Sequence, residues 1–274
     1  MDQPLPDYEP MLAAFHRAFA AEMEAMVASV PIAEGDRVLE MACGDGDYTP
    51  RLAERVGPTG SVVAVDVSPD YLEVARRESA RGGHPERSRF VAASIDRLPF
   101  EDGSFDAAWC AQSLFSLPEP VDAVRKMARA VRPGGVVAVM EDDTLHRVVL
   151  PWPIEVELAV RSAEWEALRA ETGRPHKFYV GRHLVPVFRE AGLVDLRVRA
   201  FASCRVAPLD DDARTFLGEY LKGLAERVAP RLKSSMRKDF ERLIAPGSPD
   251  ALLDRPDLAV TIIDHVIHGR VSDR

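Results

Sequence analysis

Apolar side chains recur at helical spacing near the start of the chain. Leu12, Phe15, Phe19, Met23, Met26 and Val30 lie three or four residues apart, which predicts one amphipathic helix ending before Pro31. The pattern then changes to short apolar runs alternating with helical stretches. Arg37–Met41 reads as a strand, followed by a glycine-rich turn and a helix near Tyr48–Val56. Ser61–Val65 is β-branched and predicts a second strand. Ser68, Pro69 and Asp70 supply an N-cap, a first-turn proline and an acid at a helix N-terminus, opening a helix to about Arg81. Arg89–Ala92 and Phe105–Cys110 predict strands three and four. Val121, Val124, Ala128 and Val131 mark a helix that Pro133-Gly134-Gly135 ends, and Val136–Met140 is a wholly apolar fifth strand. Leu184, Val187, Phe188 and Ala191 give a helix stopped by Gly192. Leu193–Ala200 and Leu258–Ile267 predict strands six and seven.

Strand and helix alternating in this way mean crossover units and a largely parallel α/β sheet with helices on both faces. Two stretches, Asp142–Val180 and Ala207–Pro256, are mainly helical, leave the sheet pattern and are too long for simple loops. In the second, Phe216, Tyr220, Leu224 and Val228 share one helix face. The expected organisation is therefore a single domain over 1–274. It comprises an N-terminal lid helix (1–30), a sheet-forming core (31–141), helical lid insertions (142–180 and 207–256) and the closing part of the sheet (181–206 and 257–274).

Composition narrows the function classes. The chain has 274 residues, is 46% hydrophobic and 29% charged, and carries a net charge of −9. A surplus of acids gains little from phosphate backbones or anionic lipid, so nucleic acid and membranes are not expected as partners. The three cysteines, Cys43, Cys110 and Cys204, stand far apart, which predicts neither a disulfide framework nor a zinc site. The opening residues lack the basic-then-apolar order of a signal peptide, and no apolar run reaches the roughly 18 residues of a membrane span. A reduced, cytoplasmic protein is expected. The lid helices leave a homodimer open without requiring one.

The chemistry concentrates in Val38-Leu39-Glu40-Met41-Ala42-Cys43-Gly44-Asp45-Gly46-Asp47. A buried strand runs into small residues and then a helix. Gly44 and Gly46 let a ligand approach the backbone, and the helix N-terminus offers free N–H groups. Asp66 closes the second strand twenty residues after Gly46, about the separation at which an acid meets ribose hydroxyls in dinucleotide folds. A nicotinamide fingerprint would place its third glycine where Thr49 stands, which counts against that cofactor.

This segment resembles the first motif of the class I S-adenosylmethionine-dependent methyltransferases, with Glu40 as the acid and Ala42 in place of the first glycine. Val65-Asp66-Val67-Ser68 is similar to the family's second-strand motif. Leu98-Pro99-Phe100-Glu101-Asp102-Gly103-Ser104-Phe105-Asp106 resembles its stretch before strand four, and Arg132-Pro133-Gly134-Gly135 its turn before strand five. The resemblance implies a seven-stranded, mostly parallel sheet with an antiparallel last strand. It also implies S-adenosyl-L-methionine as cofactor and methyl transfer to a small or medium organic molecule at oxygen, nitrogen or carbon, the alternative being a non-catalytic protein that binds or senses S-adenosylmethionine. Glu40, Ala42, Gly44, Gly46, Asp66 and Val67 would line the cofactor site. Ser94 would meet the adenine amino group and Ile95 its ring, while Asp96 either replaces Ser94 or caps a turn.

Acceptor-side groups are expected at the carboxyl ends of strands four and five. Gln112 either orients a ligand or caps its loop. Glu141-Asp142-Asp143-Thr144-Leu145-His146 either forms a solvated loop or contributes to binding, with Asp142 and Asp143 as substrate contacts and His146 as first choice of base. Adjacent acids on an extended chain point opposite ways, so no metal site is assigned. His176, Tyr179 and Trp152 are candidates to line the acceptor pocket. Trp165 is expected in the core with Leu158 and Leu168, Arg147 and Arg182 at the surface or against an anionic substrate, and Cys43 and Cys110 as buried fillers. His265 and His268 are expected to be structural, toward the far end of the last strand.

Overall fold

The computed structural model describes residues 9–82, 84–117, 119–172 and 179–273. His176 and residues 1–8 of the expected lid helix lie outside them. The sheet is built from β1 (Arg37–Met41), β2 (Ser61–Asp66), β3 (Ser88–Ala92), β4 (Phe105–Ala111), β5 (Val131–Asp142), β6 (Val148–Val149), β7 (Val194–Val206) and β8 (Ala259–Arg270). Strands β3, β2, β1, β4 and β5 run parallel in that order, and β8 lies antiparallel beside β5. On its other flank β8 pairs with β7, also antiparallel. The order reverses between β1 and β4, so the crevice at their carboxyl ends is the place where such sheets take ligands.

All seven expected strands are present, and the short β6 is an eighth. It lies inside the stretch expected to leave the sheet, where Val148 and Val149 pair with Ile262 and Thr261 of β8. A two-residue strand carries no alternation to read. β5 is longer than its apolar run at both ends. Helix α5 (Pro120–Ala130) stops at Ala130, and Val131 already pairs with Phe105 before a register shift. At the other end β5 continues to Asp142, opposite Asp264 of β8.

Side chains alternate between two cores. Val38, Val62, Trp109, Ala138, Met140, Ile262 and Val266 face one side. That side is covered by α1 (Glu9–Ala18), α2 (Ala20–Ala28), α3 (Tyr48–Val56), α6 (Ile154–Thr172), α8 (Asp211–Val228) and α9 (Ser234–Ile244). The helix α4 (Pro69–Arg81) packs Leu72 near Ala64 on the same side. Leu39, Val63, Ala108, Val137 and Ile267 face the opposite side, under α5 and α7 (Val180–Glu190). As its sequence signals require, α4 is capped by Ser68 Oγ, which accepts from Tyr71 N–H.

The expected single N-terminal helix is broken. Phe19 leaves helical geometry (φ −120°, ψ 24°) between α1 and α2. The Ala18 carbonyl there accepts from Arg205 Nη2 at 2.5 Å, and the same guanidinium pairs with Glu22 at 2.6 Å. Ring contacts of Phe15 and Phe19 with Phe216, at 5.2 and 5.8 Å, fix α1 against α8. Each such pair contributes about 0.5–1.5 kcal/mol beyond its area. Among the described residues no helix is long and apolar enough to cross a membrane.

Candidate active site

The turn after β1 is held by backbone geometry that glycine favours. Gly44 has φ +53° and Gly46 φ +79°. They need glycine for different reasons. A Cβ at Gly46 would sit 2.6 Å from Ala75 Cβ, so this position lets the turn pack on α4. A Cβ at Gly44 would meet nothing within 4 Å, so this glycine keeps a space open. Ala42, where the resemblance expects glycine, also adopts φ +53°. An alanine there carries a left-handed cost of about 1–2 kcal/mol.

Asp66 ties the turn to β2. Its Oδ2 accepts from Gly44 N–H at 3.0 Å and its Oδ1 from Ser68 N–H at 2.9 Å. A carboxylate has about four acceptor positions, so both oxygens retain capacity for a ligand. The next residue, Val67, is 69% exposed, an uncovered apolar side chain beside a buried acid. Glu40 lies beneath the turn, where its Oε2 accepts from Thr49 Oγ1 at 2.5 Å. Burial pushes its carboxyl up to about 8, reinforced by Asp45, Asp47 and Asp66 and opposed by the Thr49 bond. Cys43 and Cys110 are buried, and burial pushes both thiols up, as expected of fillers.

Ser94 caps the 3₁₀ turn Ile95–Arg97 by accepting from Asp96 N–H at 3.2 Å. The Asp96 carboxylate turns away to α5, where Lys126 Nζ lies 2.5 Å from it and holds its carboxyl below the usual range. Asp96 is thus committed to an ion pair, and the capping role expected of it belongs to Ser94.

At the ends of β4 and β5 the acids do point apart. Asp142 Oδ2 lies 3.2 Å from Arg147 Nη1, while Asp143 accepts from Arg182 Nε at 2.5 Å. Burial raises the Asp142 carboxyl, and Arg147 opposes the shift. Both arginines were expected at the surface or against an anionic substrate. Arg182 is about half exposed, but Arg147 is largely covered between Asp142 and Asp264, its side chain 16% exposed and its guanidinium 4.3 Å from the Phe15 ring centroid. Gln112 is also left-handed (φ +48°). Its N–H donates to Met140 O, and its amide oxygen, correctly oriented, accepts from Arg147 Nη1 at 3.3 Å. Glu141 faces the other core and accepts from Leu114 N–H and Phe115 N–H, fixing the loop after β4.

His146 stands beside Tyr179, with ring centroids 6.2 Å apart, and its Nδ1 lies 3.0 Å from Arg182 Nη2. Arginine only donates, so Nδ1 accepts and Nε2 carries the proton. Burial lowers the imidazole, with Asp143 opposing and Arg182 reinforcing the shift. In this arrangement the outer nitrogen is a donor, which is not the state of a base. Tyr179 packs under Arg182 at 4.6 Å and against Trp165 at 5.6 Å. Leu158, expected beside Trp165 in the core, is exposed, and Trp152 stacks on Phe240 in the core. His265, expected at the far end of β8, pairs with Glu141 at the site edge, because β8 continues to Arg270 and shifts the strand's midpoint. His268 lies opposite Ala138.

Sequence reasoning overlooked His16. It is buried on α1, with Nδ1 3.2 Å from Asp45 Oδ2 and 3.8 Å from Asp47 Oδ1 in the glycine turn. The signal was a histidine beside Phe15 on the apolar face of an amphipathic helix. Asp264 and Tyr48 were also overlooked, since a single acid inside a β-strand and an aromatic after a turn look structural.

The glycine turn and its acid coincide with a family match. A model described as a methyltransferase domain matches residues 38–135. A demethylmenaquinone methyltransferase of Staphylococcus aureus is 33% identical over 181 residues, covering 62% of this chain and 73% of the relative. A solved candidate methyltransferase of Bacillus halodurans aligns with a TM-score of 0.60 at 16% identity, over 92% of this chain and 99% of that one. Geranyl diphosphate C-methyltransferase of Streptomyces coelicolor, solved with Mg2+, geranyl diphosphate and S-adenosyl-L-homocysteine, aligns with a TM-score of 0.53 at 14% identity, over 98% and 86% of the two chains. At such identities the structures show a shared fold, and the staphylococcal relative shows kinship. The chain belongs to the class I S-adenosylmethionine-dependent methyltransferases.

Proposed function

We propose that this enzyme methylates a small or medium organic molecule in a crevice above β1, β4 and β5, covered by α1, α6 and the α8–α9 segment. The observation that carries the reading is the Asp66 carboxylate, fixed by Gly44 N–H and Ser68 N–H beside the exposed Val67. Those residues suit an adenosine. Asp66 takes the ribose hydroxyls, Val67 and Ile95 cover the adenine faces, and Ser94 lies at its amino group. Ala42, Gly44 and Gly46 shape the turn at the methionine end, and Glu40 underpins that turn from the core. The open space at Gly44 supports this fit. Asp96 is left out of the set, because Lys126 holds it.

S-adenosylmethionine supplies a methyl group that is already electrophilic. The protein's task is then to hold the acceptor in line and to exclude water. Phe15 and His16, adjacent on α1, serve both ends of that task. His16 meets the glycine turn, and Phe15 closes over Arg147 on the acceptor side. Gln112, Asp142, Asp143 and Tyr179 border the acceptor space, and His146 there acts as a hydrogen-bond donor.

The test is incubation of the enzyme with S-adenosylmethionine carrying a trideuterated methyl and a panel of small acceptors, read by mass spectrometry. A labelled product is expected. Micromolar cofactor binding with no transfer to any acceptor would overturn the reading.

A further inference from the structure

The edge described above contains a buried polar cluster that cofactor binding does not explain. Asp264 on β8 is 1% exposed, between Ile262 and Val266 on the face covered by α1 and α8. Its Oδ1 makes no hydrogen bond. The nearest cation atom, Arg147 Nε, is 3.7 Å away and has no hydrogen-bond partner either. The buried hydroxyl of Tyr48 is also without a partner, and it lies within the electrostatic reach of both Asp264 and Arg147. Tyr48 opens α3 directly after the glycine turn, so the cluster adjoins the methionine end of the proposed cofactor site. Three elements thus bring an acceptor atom, a cationic donor and a hydroxyl together under the Phe15 ring. Buried polar groups are normally satisfied, and a set that is not calls for a ligand or an ordered water.

We propose that Asp264 is the catalytic base, that Arg147 stabilises the oxyanion it creates, and that the acceptor is therefore a molecule with an acidic O–H, a phenol or an enol. The proposal rests on the methyltransferase reading of the site. Asp264 takes the proton from the acceptor O–H. The resulting anion, held by Arg147 Nε–H and Tyr48 O–H, attacks the methyl carbon through oxygen or the conjugated carbon. The S–CH3 bond breaks and its electron pair stays on sulfur, leaving S-adenosylhomocysteine. For transfer to carbon, loss of the proton on the methylated carbon and return of a proton to oxygen then restore the phenol or enol. The net proton leaves to water as product departs.

Other carboxylates on this edge are committed elsewhere. Asp142 is paired with Arg147, Asp143 carries Arg182, and Glu141 lies on the opposite face, where burial raises its carboxyl well above the usual range. Burial, opposed by Arg147 and reinforced by Asp142, raises the Asp264 carboxyl to about 6. The groups facing it are Asp142 from β5, Arg147 from the following loop and Tyr48 from α3, while Glu141 and its cross-strand partner His265 project from the opposite face. From α1 the Phe15 ring covers Arg147, and His16 is turned to Asp45. An acid with this pKa is ionised at neutral pH and a stronger base than an ordinary carboxylate.

The experiment compares wild type with Asp264→Asn and Asp142→Asn. S-adenosylhomocysteine binding is measured by calorimetry. Labelled methyl transfer is measured on phenols, enols and hydroquinones against amines, thiols and carboxylic acids. Products are expected from the O–H acids, with kcat falling below pH about 6. Asp264→Asn should lower kcat at least a hundredfold, with KM changed less than threefold, and remove that pH limb. Its deficit should shrink at high pH with 4-nitrophenol, which ionises unaided. Asp142→Asn also removes a partner of Arg147, but should keep the pH limb even where the rate falls. Products from amines, thiols or carboxylic acids alone would overturn the proposal, as would an Asp264→Asn enzyme that keeps the pH limb. Cofactor binding without methylation of any phenol or enol also overturns it. Failure to bind S-adenosylhomocysteine would instead strike the cofactor reading on which it stands.

Discussion

Replacing Gly44 or Gly46 by alanine separates seating of the cofactor from stability of the turn. At Gly44 the backbone has φ +53°, the value Ala42 already tolerates two residues earlier, and the new methyl would touch nothing within 4 Å. Only the left-handed cost of about 1–2 kcal/mol applies. For a chain of this size, each kcal/mol moves Tm by about 2–4 °C. The methyl would nevertheless occupy the space through which the cofactor approaches the turn and Asp66. We expect affinity for S-adenosylhomocysteine to fall at least tenfold, about 1.4 kcal/mol. At Gly46 the methyl would lie 2.6 Å from Ala75 Cβ and 2.9 Å from Ala75 Cα. Overpacking of about 1–3 kcal/mol then adds to the left-handed cost, giving about 2–5 kcal/mol. Scanning calorimetry of the apo proteins and titration with S-adenosylhomocysteine read both effects. A Gly44→Ala protein with wild-type affinity would refute the cradle. A Gly46→Ala protein as stable as Gly44→Ala would refute the packing role.

Ala42→Gly should relieve the left-handed cost at that position. After allowing for the entropy of the added glycine, stability should rise by about 0.5–1 kcal/mol, read by urea unfolding. Asp66→Ala removes the acceptor for Gly44 N–H and Ser68 N–H together with the proposed ribose contacts. Each bond to a charged group is worth about 1.5–3 kcal/mol, so titration should show S-adenosylhomocysteine binding at least tenfold weaker. Burial pushes the Glu40 carboxyl from the ordinary range, about 4.3, up to about 8 in the folded state, so stability from this group falls as pH rises across that window. Glu40→Gln should flatten the decline in urea midpoint between pH 5 and pH 8, and an unchanged pH slope would contradict the assignment.

The sheet was legible because its central strands are buried on both faces, so Ser61–Val65 and Val136–Met140 read as unbroken apolar runs. The glycine turn was legible because left-handed backbone and close packing restrict residue choice, and Asp66 followed from its place at a strand end. Longer-range features were not legible. The break at Phe19 depends on Arg205, 186 positions along the chain, reaching Ala18 O. The inward placement of Arg147 depends on Asp264, which only the antiparallel register of β8 brings opposite Asp142. His146 reads as a base from its ordinary properties, and only the position of Arg182 reveals which nitrogen carries the proton. Each is a tertiary pairing of charged groups, and local spacing carries no trace of such pairings.

Co-crystallisation with S-adenosylhomocysteine is the most direct test of the central claim. The account predicts density for adenine between Val67 and Ile95, ribose hydroxyls within hydrogen-bond distance of Asp66, and the amino-acid end against the turn at Gly44. Density for the compound elsewhere on the protein, or a saturated crystal in which α1 still seals an empty turn, would contradict it.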